Sequence, residues 1–154
     1  MSEAWINFAI VIFVQFLLFI ALASYQKELS NTKKLLGRGI LIGIVFGLAF
    51  DLVLGKFLGV HSYLLGFGPL FLFLNAAISY GLFSATMLIF HATRLPYLFV
   101  WSFLVMAIYE ITNQFFHVWT WELSFPSVLF VGVLSIGYFG GAVLVVSVGR
   151  ISRH

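Results

Sequence analysis

The stretch from Trp5 to Tyr25 reads WINFAIVIFVQFLLFIALASY and contains no charged side chain. An α-helix rises about 1.5 Å per residue, so that about 20 residues cross the hydrocarbon core of a bilayer. The stretch lacks the alternation of polar and apolar residues that is typical of a membrane β-strand. We therefore predict that it forms a transmembrane helix.

Four more apolar stretches of similar length follow along the chain. With the first, the predicted helices cover residues 5–25, 39–60, 67–90, 96–118 and 125–148. They leave only short loops in a chain of 154 residues. The sequence thus predicts one all-α transmembrane domain over residues 1–154, a bundle of about five helices in a multi-pass protein of the cell membrane.

The composition points to the same class of protein. A soluble domain carries about 25% charged residues, whereas this chain carries 8% and is 62% hydrophobic. Lipid must therefore cover most of the surface, and the bilayer is the first expected partner. The net charge of +3 does not indicate nucleic-acid binding, because the basic residues lie in short loops beside apolar helices. The absence of cysteine excludes disulfides and thiolate chemistry.

The distribution of basic residues predicts the orientation of the bundle. Seven of the eight lie in loops or tails on one side of it: Lys27, Lys33, Lys34, Arg38, Arg94, Arg150 and Arg153. The eighth, Lys56, lies near the other side. Because cytoplasmic loops are enriched in lysine and arginine, we expect the N-terminus outside the cell and the C-terminus in the cytoplasm.

Small residues follow one face of the second predicted helix. They recur at every fourth position, as Gly39, Gly43, Gly47, Asp51, Gly55 and Gly59, with one carboxylate among the glycines. Such a face lets another helix backbone approach closely. It predicts tight packing, either within the chain or against another membrane protein or a second copy. Asp51 costs about 3 kcal/mol to insert, so it must face the interior, a water-filled cavity or a partner.

The fourth predicted helix carries a polar stripe. Its members are spaced to share one face and are Glu110, Asn113, Gln114, His117 and Trp121. On the third helix, Asn75 and Ser79 could pair with them. The stripe indicates either a small polar cavity, open to the outer side and bounded by His61 and Trp119, or a hydrogen-bonded lattice that only holds the helices together.

Two segments of the chain repeat one pattern of aromatic and acidic residues. The first consists of Phe50, Asp51, Phe57, His61 and Tyr63, and the second of Tyr109, Glu110, Phe116, His117, Trp119 and Trp121. Each segment then reaches a proline, Pro69 or Pro126, that is predicted to open the next helix. Repeats of two helices share one orientation in the membrane, so the pattern predicts that Asp51 and Glu110 lie at equal depth.

Motifs of soluble catalysis are missing from the sequence. No serine lies in a nucleophile elbow, and no glycine-rich loop could bind phosphates. The histidines are scattered, and Glu110 and His117 are two helical turns apart, so we predict neither a metal site nor a cofactor. If the protein is an enzyme, its candidate catalytic residues are Asp51, Glu110 and His117; otherwise it has none.

Residues 43–60, GIVFGLAFDLVLGKFLGV, resemble the segment around the intramembrane aspartate of the MreD family of rod-shape-determining proteins. They are also similar to spans of the substrate-binding components of energy-coupling-factor transporters. The likeness covers about residues 37–75. The first resemblance implies a membrane scaffold that joins a partner to the cell-wall elongation machinery. The second implies a solute-binding component of a transporter.

A further resemblance rests on the two aromatic loops. The residues Asp51, Gly59, His61 and Tyr63, and their echo Glu110, His117, Trp119 and Trp121, look like parts of the small membrane carotenoid cyclase and hydratase families. This resemblance implies an enzyme that protonates a polyene with carboxylates near such loops.

Three functions therefore follow from the sequence. We expect an integral membrane scaffold or partner-binding protein, of the kind found in cell-shape and cell-wall complexes, rather than an enzyme. A membrane-embedded lipid- or isoprenoid-modifying enzyme is the first alternative. A solute-binding component of a transporter is the second.

Overall fold

A computed structural model of the protein describes residues 2–91, 93–122 and 127–151. Its α-helices are α1 (Glu3–Tyr25), α2 (Thr32–Phe50), α3 (Pro69–Asn75), α4 (Gly81–Ile89), α5 (Leu95–Phe116) and α6 (Ser127–Ile151). A π-helical segment, Asp51–Phe57, continues α2, and a second one, Ala76–Tyr80, joins α3 to α4. Two short strands, β1 (His61–Tyr63) and β2 (Trp119–Trp121), follow the second and fourth membrane spans.

Five helical spans within the described residues are long and apolar enough to cross a membrane. They are Glu3–Tyr25, Leu29–Phe57, Pro69–Ile89, Leu95–Phe116 and Leu129–Gly149. The prediction of an all-α bundle of about five helices is thus confirmed. The second span begins about ten residues earlier than predicted, because Lys33, Lys34 and Arg38 lie on the helix itself. Residues 125 and 126, where the fifth helix was predicted to open, and Arg153 lie outside the described residues.

The third span forms the centre of the bundle. α4 is buried along almost its whole length, because α1, α2 and α6 all pack against it. Phe19 and Ala23 of α1, Leu88 of α4 and Val145 of α6 meet in the main apolar core. The remaining spans are less buried, and their exposed apolar side chains form the surface that a bilayer would cover.

Three glycines of α2 allow the second and third spans to pack closely, two of them by direct contact between the backbones. A Cβ atom added to Gly39 would lie 2.5 Å from the carbonyl oxygen of Gly81, and one added to Gly43 would collide with the backbone nitrogen of Gly81. A Cβ atom at Gly47 would lie 2.7 Å from the ring of Tyr80. This part of the small-residue face is therefore covered by the chain's own third span.

The small-residue face is shorter than predicted, because it includes Gly55 but not Gly59. Gly55 still faces inward, where an added Cβ would lie 2.6 Å from the ring of Phe67. Gly59 does not, because the helix ends at Phe57 and a Cβ at Gly59 would meet nothing within 4 Å. Gly59 has φ +62°, a left-handed conformation in which glycine reverses the chain after a helix.

The strands β1 and β2 close one end of the bundle. They pair in antiparallel register, with Ser62 opposite Thr120. The N-terminal end of α1 lies at the same end, where Phe8 packs with Phe71 and Val118. The apolar periodicity of the sequence did not predict these strands, because each is only three residues long and follows a helix directly.

Candidate functional site

The strand pair places four aromatic side chains on one face. His61 lies opposite Trp121, and Tyr63 lies opposite Trp119. Successive side chains of a strand point to opposite faces, so these four residues share a face, and all four line a cavity in the bundle. The strands thereby form a lid whose inner face is aromatic.

Asp51 is fully buried beneath this lid and is surrounded by four polar side chains. The hydroxyls of Tyr63 and Tyr80 each donate to its Oδ1 atom at 2.8 Å. Asn75 donates from Nδ2 to Oδ2 at 3.1 Å, and His61 Nε2 lies 3.3 Å from Oδ1. A carboxylate out of contact with water needs such donors, since its desolvation is otherwise expensive. We call these five residues the Asp51 cluster.

The two π-helical segments bring the Asp51 cluster together. Asp51 is the first residue of one segment, Asn75 directly precedes the other, and Tyr80 ends it. In a regular α-helix, residues five apart are about 500° apart in rotation and point in different directions. The wider π turn removes this difference, so that Asn75 and Tyr80 both reach the same carboxylate.

Tyr63 lies in the strand pair, outside the membrane spans. Its burial, followed by the negative charge of Asp51, raises the pKa of the Tyr63 hydroxyl well above its ordinary value. The hydroxyl therefore keeps its proton and serves as a donor. It also accepts a hydrogen bond of 3.0 Å from Asn75 Nδ2, which links the strand to the third span.

Glu110 forms a second cluster with three donors. The indole nitrogens of Trp119 and Trp121 donate to its Oε2 atom at 3.3 and 3.0 Å. The hydroxyl of Tyr138, on α6, donates to Oε1 at 3.1 Å. Glu110 is only half-buried. We call these four residues the Glu110 cluster.

The two clusters occupy corresponding places in the chain. Each carboxylate is bound by two side chains of the strand that follows it and by a tyrosine of the next span. Tyr80 follows Asp51 by 29 residues, and Tyr138 follows Glu110 by 28 residues. Both carboxylates therefore lie at the end of the bundle that the strands close.

A cavity of about 560 Å³ lies below the strand pair. Its walls come from α2, the third span and α6, together with Tyr109 of α5, and they are mainly apolar. At its polar end it meets His61, Tyr63, Asn75, Ser79, Tyr80 and Tyr138. No lysine or arginine lines the cavity within the described part of the chain. Its size is typical of sites for small organic ligands.

Two polar atoms of the residues that line this cavity have no hydrogen-bond partner among the described residues. They are the hydroxyl of Tyr109 and Nδ1 of His61. Both residues are buried, with 3% of their surface exposed. A buried polar atom that lacks a partner is unfavourable by about 1–3 kcal/mol, so both atoms could gain from a bound molecule.

Three of the residues that were predicted to line a polar cavity, Asn75, Ser79 and Trp121, line the cavity below the strand pair. Asn75 bonds to Asp51 rather than to the polar stripe of the fourth helix. Glu110 lies behind Trp121 and Tyr138, which it holds.

Three members of the polar stripe have other roles. Asn113 is buried but binds the backbone of Trp119 through both of its side-chain atoms, and so fixes the strand. Gln114 and His117 are exposed, which contradicts the prediction. The reason is the rotation of α5, whose buried face runs through Tyr109 and Asn113 and leaves Gln114 beyond its edge. At His117 the helix ends, with φ +49°.

Tyr80 and Tyr138 complete the site, and sequence reasoning missed them. A tyrosine inside an apolar helix is unremarkable by composition, since its ring packs well among apolar side chains. The available signal was their spacing from Asp51 and Glu110, which differs by only one residue between the two segments.

Comparisons with protein-family models, with curated proteins and with solved structures give no match to this chain.

Proposed function

We propose that this protein is a membrane-embedded enzyme that binds a neutral, single-chain lipid, such as an isoprenoid, and moves protons to or from it. The observation that carries the proposal is the apolar cavity whose polar end rests on two carboxylate clusters. Tyr80 and Tyr138 each face the cavity on one side and a carboxylate on the other. Such hydroxyls can position a lipid and relay a proton.

The charges around the cavity favour a neutral ligand. Its polar end is backed by two carboxylates, and no lysine or arginine lines it within the described residues. Phosphate groups are usually bound by arginine, lysine or helix N-termini. A phospholipid or a prenyl diphosphate would therefore place its charge against carboxylates without compensation.

The small-residue face of α2 gives the scaffold alternative no support. Gly39, Gly43 and Gly47 were predicted to pack either within the chain or against a partner, and they face the backbone or side chains of the chain's own third span. The roles of a cell-shape scaffold and of a transporter component remain predictions from resemblance.

The proposal includes a location and an orientation. The five apolar spans support a multi-pass protein, and we assign it to the cell membrane with the N-terminus and the strand pair outside. The chain contains no cysteine, so single cysteines at Ser62 and Ser30 can report the side. An impermeant thiol reagent applied to intact cells should label Ser62→Cys and leave Ser30→Cys unlabelled. The reverse pattern would overturn the orientation.

The binding step is tested by the lipids that copurify with the protein. Organic extracts of the purified protein should contain one neutral lipid in defined ratio, as measured by mass spectrometry. Ser79→Phe fills the cavity, since Ser79 lines it, and should remove that lipid. Ile78→Phe is the matched control, because Ile78 is exposed and does not line the cavity. Equal lipid content in both variants would contradict the proposal.

A further inference from the structure

The cavity is open toward the lipid phase between α2 and α6. Both helices pack against the third span, and both contribute exposed residues to the lining. Phe46 of α2 is 37% exposed, and Ile136 of α6 is 71% exposed. Phe46 lies near the middle of the span Leu29–Phe57, and Ile136 lies within Leu129–Gly149. This opening is therefore at the depth of the hydrocarbon core.

The glycines of α6 widen this opening. Gly137 and Gly140 line the cavity and are exposed. A Cβ atom added to either would meet nothing within 4 Å. The glycines of α2 behave differently, since Gly39 and Gly43 touch the backbone of the third span. Packing within the chain therefore requires glycine at positions 39 and 43 of α2 and does not require it at positions 137 and 140 of α6.

The strand pair covers the end of the cavity. His61, Tyr63, Trp119 and Trp121 turn their side chains inward onto it. Trp119 and Trp121 are tied to Glu110, and Tyr63 is tied to Asp51. A ligand that entered from the aqueous phase would have to break these bonds.

We infer that the lipid enters sideways from the bilayer between α2 and α6, and that Gly137 and Gly140 set the width of the chain that can pass. The inference rests on the proposed function. The occupant is the apolar chain of a neutral membrane lipid, because the opening lies at hydrocarbon depth and the described lining has no lysine or arginine. Tyr109 lines the cavity, and its hydroxyl, which has no hydrogen-bond partner in the described part of the chain, offers this lipid a polar contact.

The experiment uses the full chain in phosphatidylcholine vesicles and a photoreactive probe. The probe is hexadecanol with a diazirine in the middle of its chain, and labelled residues are identified by mass spectrometry. Labelling at Phe83, which lines the cavity, should be removed by excess unlabelled hexadecanol. Labelling at Leu41, which is 68% exposed and does not line the cavity, should persist.

Two leucine variants test the width of the opening. Gly140→Leu should lower labelling at Phe83 about tenfold, which corresponds to about 1.4 kcal/mol. Gly132→Leu is the matched control, because Gly132 lies on the same helix with equally open space around it but does not line the cavity. It should leave the labelling unchanged. Size-exclusion profiles identical to that of the parent protein would show that both variants fold.

A reversible cross-link between the two strands distinguishes entry from the bilayer from entry through the strand pair. Ser62 and Thr120 are directly opposite each other, so Ser62→Cys with Thr120→Cys can be cross-linked by oxidation or by a short thiol-reactive linker. Sideways entry predicts equal labelling at Phe83 before and after cross-linking.

Three results would overturn the inference. Two of them would leave the lipid-binding proposal intact, and the third would reject it as well. Equal labelling of Gly140→Leu and the parent protein, or labelling that is lost on cross-linking and restored by reduction, would reject sideways entry and keep the lipid-binding proposal. Labelling at Phe83 that unlabelled hexadecanol does not remove would reject both.

Discussion

The two halves of the site share one pattern, glycines and a single carboxylate in apolar helices, but the pattern has a different role in each half. In the first half, residues 32–89, Gly39, Gly43 and Gly47 of α2 touch the third span, and Asp51 is fully buried. In the second half, residues 95–151, the α6 glycines at 137 and 140 border open space, and Glu110 is half-buried. Glycines and a carboxylate in apolar helices therefore do not by themselves determine whether a helix packs closely or borders a cavity. The neighbouring helix decides whether they close a contact or leave room for a ligand.

The largest difference between the halves is expected for bulky replacements of glycine. Gly43→Leu should prevent folding, because its side chain would enter the backbone of Gly81, where relief is harder than in the overpacked cores that lose about 1–3 kcal/mol. Gly140→Leu should keep the unfolding temperature of the parent protein. The measurements are the yield of monodisperse protein and thermal unfolding in detergent. Similar losses in both variants would remove the distinction between a packed and an open half.

The next difference concerns removal of the carboxylates. Asp51→Leu removes the carboxylate to which Tyr63, Tyr80 and Asn75 donate, and each buried donor that loses its partner is unfavourable by about 1–3 kcal/mol. We expect the protein to lose its cooperative thermal transition. Glu110→Leu should lower the transition by a few degrees only, because Glu110 is half-buried whereas Asp51 is fully buried. A larger loss of thermal stability for Glu110→Leu than for Asp51→Leu would mean that the second half, not the first, is the closely packed one.

Amide replacements separate shape from proton chemistry. Asp51→Asn and Glu110→Gln keep size and part of the hydrogen bonding while they remove a transferable proton. We expect both variants to fold and to retain the copurifying lipid. Both should lose conversion of that lipid, as judged by comparing lipid extracts of cells that express each variant. If the extracts match those of the parent protein, the carboxylates are structural and the protein is a binding protein or a scaffold.

The smallest effects are expected for the two tyrosines. Tyr80→Phe and Tyr138→Phe each remove one hydroxyl that donates to a carboxylate. A hydrogen bond between membrane helices contributes on average about 0.6 kcal/mol, so each variant should lose about that much in thermal or denaturant unfolding. Tyr25→Phe, at an exposed position far from the strand pair, is the control. A loss in Tyr25→Phe as large as in Tyr80→Phe would mean that the hydroxyl bond to Asp51 adds nothing.

The sequence predicted part of the site through its rarest residues. Asp51 and Glu110 stand out because a charge is costly within an apolar helix, and both are the centres of clusters. The aromatic repeat identified the segments that form β1 and β2. It did not reveal that the strands pair, because pairing depends on the approach of two loops separated by about sixty residues.

The sequence by itself determined the class of the protein and the number of its spans. Hydrophobicity and helix length are local properties, and the cost of placing polar backbone in lipid leaves the helix as the only solution for such stretches. The glycine face of α2 also predicted close packing at Gly39, Gly43 and Gly47.

Only the tertiary structure decided which helix fills that face and where the cavity lies. The rotation of α5 turns Asn113 inward and Gln114 outward, and the π segments at residues 51–57 and 76–80 collect Asp51, Asn75 and Tyr80 at one point. Neither feature can be read from a regular period of 3.6 residues, because each depends on contacts between spans that are distant in the chain.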